Sequence, residues 1–440
     1  MSRIITQVGF CGTSDPRGDS RPRLSEDLVA FRIADFELSN ALPVPLDSSC
    51  VDAACHHDST NLRFLPCRFP DISFPGFDSS DTTVPMIPRV FYFFAALVLA
   101  QTPTVQSNPA SFQGSATFDP DGTAHIMRVV PVPSTVSPEA QKWLTSLALT
   151  RKRSAPETLA ERRAHTDAWR AQDSAEARRI YPVNIEETSI VGVRTDIITP
   201  LTTPEANRNR VLINLHGGGF NSDSGSLIEG VPIANLAKIK VVSVYYRLAP
   251  EHPFPAAVDD VVAVYKELLK TYKPHNIAIF GTSAGAILTC EVAVRLKQLG
   301  LPLPAALGMF SGLADFSQPG ESRQIFTLTG LPGELEPVDS HHLPDDAYVG
   351  TTDRKDPVLS PLFADLHGMP PTLLLTSSRD LLLSETAILH RALLRTGNDA
   401  QLVVFEALPH AFWYNFGLPE TKEALELMAR FFDEKVGRER

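Results

Sequence analysis

From about residue 185 onward the chain alternates short apolar runs with longer stretches of helical spacing, and this alternation restricts the fold more than any single motif. The runs fall at 190–198, 211–215, 241–246, 276–280, 306–310, 372–375 and 402–405, several of them β-branched, and the helical stretches at 254–269, 286–299, 385–395 and 419–436. Strands alternating with helices predict an α/β fold whose mostly parallel sheet is covered on both faces, with ligand sites outside the carboxyl ends of the strands. Residues 312–356, which carry Pro319, Gly320, Pro332, Gly333 and Pro344, break the rhythm and read as a long insertion near such a site.

At one strand-to-helix junction stands Phe280-Gly281-Thr282-Ser283-Ala284-Gly285. A strand that turns sharply into a helix lifts the serine clear of the backbone, and flanking glycines leave room for the turn. Ser283 is therefore the candidate nucleophile. G-x-S-x-G alone is a weak pattern, because small residues crowd many such turns for packing reasons, so the other motifs and their order decide. Upstream, His216-Gly217-Gly218-Gly219-Phe220 directly follows the run at 211–215. Two amides of this glycine-rich turn, together with the Ala284 amide, suit the oxygen that becomes negative during acyl transfer. A phosphate loop would need a following Gly-Lys-Ser/Thr, which is absent here, and a plain flexible turn is the other alternative.

A serine needs a base to take its proton as it attacks, and the base needs a carboxylate to hold its ring. His410, just past the last strand, fits the base by its place in the order; His341, His342, His367 and His390 lie in the insertion, in a loop or in a helix. Asp380, in the turn after the run at 372–375, fits the carboxylate. Its competitor Glu385 falls inside the next helix, and the alternative role for Asp380 is to cap that helix. Phe220, Asn221, Phe412 and Trp413 are expected to line the pocket by adjacency to these motifs. Between the motifs, Arg247, Glu251, Asp259 and Asp260 read as an ion-pair cluster that sets a strand-to-helix turn.

Before residue 185 the sequence is organised differently. Residues 1–85 are rich in Ser, Asp and Pro without sustained periodicity, and read as disordered or as an extension that is not native. Met86, Arg89, the apolar run 90–100 and a small residue at its end have the form of an export signal, too short to span a bilayer stably. Translation from Met86 would make the protein exported, periplasmic or secreted; otherwise a cytoplasmic location is expected. Four of the five cysteines, Cys11, Cys50, Cys55 and Cys67, precede residue 68. Their spacing with His56 and His57 fits no common zinc pattern, so no metal site is expected. Ser137-Pro138 opens one helix, and Ser154 with Glu157 has capping-box spacing for a second, polar helix reaching about residue 179. Both are candidates for a cap, at 137–184, over the site. A net charge of −11 with no clustered Lys and Arg argues against a nucleic-acid partner.

With these residues in view, the chain from about 137 to its end resembles the hormone-sensitive-lipase family of α/β-hydrolases, the group with bacterial carboxylesterases. The resemblance is carried by residues 216–220, 246–257, 281–285, 356–362, the Asp380 segment and Pro409-His410. It implies an α/β-hydrolase fold with an N-terminal helical cap, a Ser283, His410, Asp380 triad, and an oxyanion hole from Gly218, Gly219 and Ala284; it does not cover residues 1–136, and the domain boundary at 101–440 follows from cleavage after Ala100. The implied reaction is hydrolysis of short- to medium-chain acyl esters, small-molecule substrates, through an acyl-enzyme and without a cofactor. Thr282 and Ala286 depart from the acidic residue and third glycine that many members carry. Two other readings stay open: a non-catalytic small-molecule receptor on the same fold, against which His410 speaks, and a lactonase, thioesterase or acetyl-esterase variant. The resemblance also mildly favours a homodimer, which no sequence feature establishes.

Overall fold

The computed structural model describes residues 114–149, 158–333, 335 and 346–437. The expectations for the leader, the export segment and the first four cysteines lie outside the described residues, as do Ser154, Glu157, His341 and His342. The described residues all belong to one compact unit, Val105–Arg440.

The first described elements are two strands, β1 (Ser115–Phe118) and β2 (Ala124–Met127), paired antiparallel with every residue exposed. No strand was expected ahead of the helices; a fully exposed hairpin has no buried face to impose an apolar alternation. Helix α1 (Pro138–Leu149) starts where Ser137-Pro138 predicted, with the Ser137 hydroxyl accepting from Ala140 N at 3.1 Å. Helix α2 (Leu159–Ile180) starts at a different box from the one expected: Thr158 Oγ1 accepts from Glu161 N, and Glu161 Oε2 accepts from Thr158 N at 2.8 Å.

The run at 190–198 is not one strand. It holds the turn between β3 (Val183–Ile190) and β4 (Val193–Pro200), made by Val191 and Gly192 at φ 46° and 85°, the left-handed pair that matches hairpin twist. The remaining strands are β5 (Val211–Leu215), β6 (Lys240–Val244), β7 (Ile277–Thr282), β8 (Ala306–Phe310), β9 (Thr372–Ser377) and β10 (Ala400–Phe405). The sheet order is β10-β9-β8-β7-β5-β6-β4-β3, parallel except for the pairings of β3 with β4 and β4 with β6.

Helices α3 (Ser226–Ala237) and α8 (Pro419–Lys435), with α1, pack on one face of the sheet; α4 (Ala256–Leu268), α5 (Ala284–Gln298) and α7 (Leu383–Arg395) pack on the other. Helix α3 was not expected, because it is apolar all round and carries Gly230 and Pro232, so it shows neither amphipathic period nor clean propensity. Gly230 is required there: a Cβ would stand 2.6 Å from Ile198 Cδ1 and 2.8 Å from Ser243 Oγ. The insertion contributes a short helix, α6 (Asp346–Val349), and a turn closed by pairing of Thr327 with Gly330. Among the described residues no helix is long and apolar enough to cross a membrane.

The chain leaves β5 for β6 on one side and returns to β7 on the other. The carboxyl ends of β5 and β7 are therefore neighbours where the winding reverses, the place at which such sheets open a crevice.

Candidate active site

Both strands at this crevice end in glycine-bearing turns that touch. Leu215 on β5 pairs with Gly281 on β7, and a Cβ on Gly281 or Gly285 would stand 2.1 Å or 1.8 Å from the Leu215 carbonyl oxygen. Only glycine allows the elbow to close against β5. Between them Ser283 adopts φ 57° and ψ −121°, and its amide donates to Phe310 O at 2.9 Å, anchoring the elbow to β8. A non-glycine residue held at this φ is strained and persists because its surroundings dictate it. Helix α5 begins at once with Ala284, so the helix N-terminus faces the serine.

Across the crevice, Gly218, Gly219 and Phe220 are three successive residues with positive φ, at 115°, 59° and 59°. The turn spends its carbonyls on itself: Asn221 N and Ser222 N donate to Gly218 O, and Ser224 N donates to Gly217 O. A Cβ on Gly217 would lie 3.0 Å from Thr282 O and 3.4 Å from Ser283 Cβ, which brings turn and elbow into contact. The start of the turn is held by Tyr246, whose ring stacks on His216 at 4.1 Å and whose hydroxyl donates to His216 O at 2.6 Å.

The Nδ1 atom of His410 lies 2.9 Å from Asp380 Oδ1, with the histidine side chain almost buried and the aspartate fully buried. That bond makes Nδ1 the protonated nitrogen and leaves Nε2 for the serine side. Ser283 and His410 open onto the same cavity. Burial works against the charge of Asp380, but His410, the Ser311 hydroxyl and Leu382 N, which donates at 2.8 Å, outweigh it and hold the carboxyl below the usual range. Ser311 and Thr376, the latter at 3.1 Å, both serve Asp380 Oδ2. Neither was singled out from the sequence; Ser311 directly follows the β8 strand, so the rule that sites gather at strand ends would have found it. Glu385 does not compete: it binds Arg323 and the Gly320 amide and ties the insertion to α7.

The cavity measures about 1420 Å³, larger than the roughly 300–1,000 Å³ of an ordinary ligand site. Arg162, Thr166, Trp169, Asp173 and Glu176 of α2 border it, at spacings of four, three, four and three, so one face of a helix that reads as merely polar is a cavity wall. Trp143 and Leu147 of α1 add to this wall, and Arg323, Phe326 and Thr329 of the insertion form another. Phe220 and Asn221 border the cavity. Phe412 and Trp413 do not: both are buried in the core, Phe412 against Phe405, and Trp413 with its indole donating to Thr282 Oγ1 at 3.1 Å. Adjacency to His410 misled because a short helical turn over Phe412–Tyr414 points these rings beneath the site. The expected ion-pair cluster is also divided. Arg247 binds Asp260 at 2.9 Å, whereas Glu251 pairs with Arg163 of α2.

Behind the elbow lies a carboxyl that sequence reading missed. Glu229 of α3 is buried and accepts from the Tyr414 hydroxyl and from Asn214 Nδ2 at 3.1 Å. Burial pushes its pKa up to about 8, against the donors Tyr414, Thr282 and Asn214, so it holds a proton at neutral pH. Among the described residues no group of His, Cys, Asp and Glu is placed to hold a metal ion.

Comparison with known proteins points the same way as this geometry. A family described by the alpha/beta hydrolase fold matches residues 212–414. The chain is 32% identical over 268 residues to an esterase of Acinetobacter venetianus, covering 58% of this chain and 84% of that protein. It is 33% identical over 241 residues to an acetyl-hydrolase of Streptomyces hygroscopicus, covering 53% and 79%. Among solved structures it resembles an esterase at 33% identity and a TM-score of 0.62, covering 72% of this chain and 99% of that one. An esterase from the bacterial hormone-sensitive lipase family superposes with a TM-score of 0.59 at 30% identity, covering 68% and 99%.

Proposed function

The chain belongs to the hormone-sensitive-lipase family of α/β-hydrolases and is a carboxylic ester hydrolase, and from that premise we propose that it cleaves short- to medium-chain acyl esters through an acyl-enzyme on Ser283. Ser283 Oγ attacks the ester carbonyl while His410 Nε2 takes its proton, and Asp380 steadies the imidazolium through Nδ1. The amides of Gly218, Gly219 and Ala284 receive the oxygen as it becomes negative, and loss of one such donor typically costs about a hundred- to a thousand-fold in turnover. Collapse expels the alcohol, protonated by His410, and water attacks the acyl-enzyme with the same histidine as base.

The observation that carries this reading is the 2.9 Å bond from the buried Asp380 to His410, which lines the same cavity as the strained Ser283. A receptor on this fold has no use for a base held in that way, so the bond favours catalysis. An acetyl-ester preference is the variant favoured by the acetyl-hydrolase relative. Hydrolysis of nitrophenyl esters from acetate to laurate, beside Ser283→Ala, tests the proposal. Activity is expected to peak at short or medium chains and to fall by about 10⁴–10⁶ in the variant. A folded protein that cleaves no ester in the series, or a variant that keeps its activity, would overturn it.

A further inference from the structure

We propose that the α2 helix holds the oxyanion turn in its active conformation through Arg163 and Arg170, and that Arg163 is a positioning residue for ester hydrolysis; this rests on the reading of the site as a serine esterase acting through Ser283, with Gly218 and Gly219 among its oxyanion donors. The guanidinium of Arg163 makes four hydrogen bonds to three residues. Its Nε donates to Asn221 O at 2.6 Å, its Nη2 to Ala249 O at 2.9 Å, and its two terminal nitrogens grip Glu251 at 2.7 and 2.8 Å. Asn221 belongs to the turn itself, and its amide returns to Gly218 O at 3.2 Å. Ala249 is joined to the same turn from the other side, its amide donating to Phe220 O at 2.8 Å. One planar cation thus ties together the two backbone segments that bracket Phe220.

Seven residues further along α2, two turns and so on the same face, Arg170 Nη1 lies 3.1 Å from Asp223 Oδ2 at the far end of the turn. Asp223 also accepts from the Ser226 amide and hydroxyl, which fixes it to the start of α3. The turn needs such holding. Gly218 and Gly219 take positive φ freely and so have other conformations within reach, whereas Phe220 at φ 59° persists only because its surroundings over-determine it. A peptide flip between Gly218 and Gly219 would turn a donor away from the ester oxygen without unfolding anything. The clamp opposes that flip, and it calls for arginine: lysine has no planar fork with which to serve three acceptors.

The test compares wild type with Arg163→Lys, Arg163→Met and Glu251→Gln on one nitrophenyl ester. It reads kcat, KM, and inhibition by a trifluoromethyl ketone, which forms a tetrahedral adduct on the serine that uses the oxyanion hole. The Arg163 variants are expected to lose about ten- to a hundred-fold in kcat with KM changed by less than about threefold, and to bind the ketone more weakly by a similar factor. Glu251→Gln, which keeps both carbonyl bonds, should lose only a few-fold, and it carries the test if an Arg163 variant fails to fold. Variants that melt lower yet keep wild-type kcat and ketone affinity would overturn the clamp and leave a merely structural pair. A kcat loss with unchanged ketone affinity would overturn it too. Failure of the underlying reading looks different: the wild type itself would then cleave no ester and bind no ketone.

Discussion

Thr282 illustrates how one residue before the nucleophile depends on contacts far from it in the chain. It receives the Trp413 indole at 3.1 Å and donates toward Glu229, so it completes a chain of hydrogen bonds behind the elbow. Many members of the family carry an acid at this position. Here Thr282→Asp would bury a second carboxyl beside Glu229, which already holds its proton, and burying it costs free energy in either protonation state. The expected cost is about 2–4 kcal/mol in denaturant unfolding. Because Glu229 is already neutral, Glu229→Gln should leave that cost nearly unchanged, and a large recovery in the double-mutant cycle would mean that Glu229 is ionised in the fold. The same scale shows why Ser283, Asp380 and His410 were legible and Glu229 was not. The three stand at strand ends in a required order, whereas Glu229 lies in the first turn of α3, where an acid is expected from the helix dipole alone and nothing local marks it as buried.

At the scale of elements, α2 has two working faces. Arg163 and Arg170 face the turn at 218–223, while Arg162, Thr166, Trp169, Asp173 and Glu176 face the cavity. Trp169 packs on Tyr414 with ring centroids 5.8 Å apart, so it offers an apolar wall to whatever fills the space beyond a small acyl group. Trp169→Ala should raise KM by about three- to tenfold for esters of bulky alcohols and leave methyl or ethyl acetate nearly unchanged. An equal shift across all esters would show that the ring does not meet the substrate. Helices with a clear stripe, such as α4, α7 and α8, were readable to within a few residues. Helix α2 was expected as part of a cap, but the residues it turns to the cavity were not singled out, because a wall of polar side chains looks in sequence like any exposed surface. Helix α3 and the strand β3 escaped for opposite reasons, one apolar all round and the other largely exposed.

For the molecule as a whole, buried carboxyls make stability depend on pH in two directions. The unfolded chain releases the Glu229 proton near 4.5 and the folded protein near 8, so the stability this group contributes is full below about 4.5 and is lost as pH rises through 8. Asp380 and Asp223 behave in the opposite sense. Burial opposes their charge, yet their partners hold both below 3.8, so their contribution is present above that value and is lost on acidification. The melting temperature should therefore be higher near about pH 5.5 than near about pH 8.5 by several degrees, with Glu229→Gln removing most of the difference. Parallel pH profiles for the two proteins would mean that Glu229 is ionised in the fold. The sequence by itself determined the α/β class, the order of the motifs and the strand-turn-helix at Ser283, because period and turn chemistry are local. Only the tertiary structure decided that β5 and β7 are neighbours, that Trp413 lies beneath the site and not in it, and that Arg163 reaches Asn221 and Glu251. Those choices depend on which buried surfaces and charges find one another across dozens to more than a hundred residues, and no local window of sequence contains both partners.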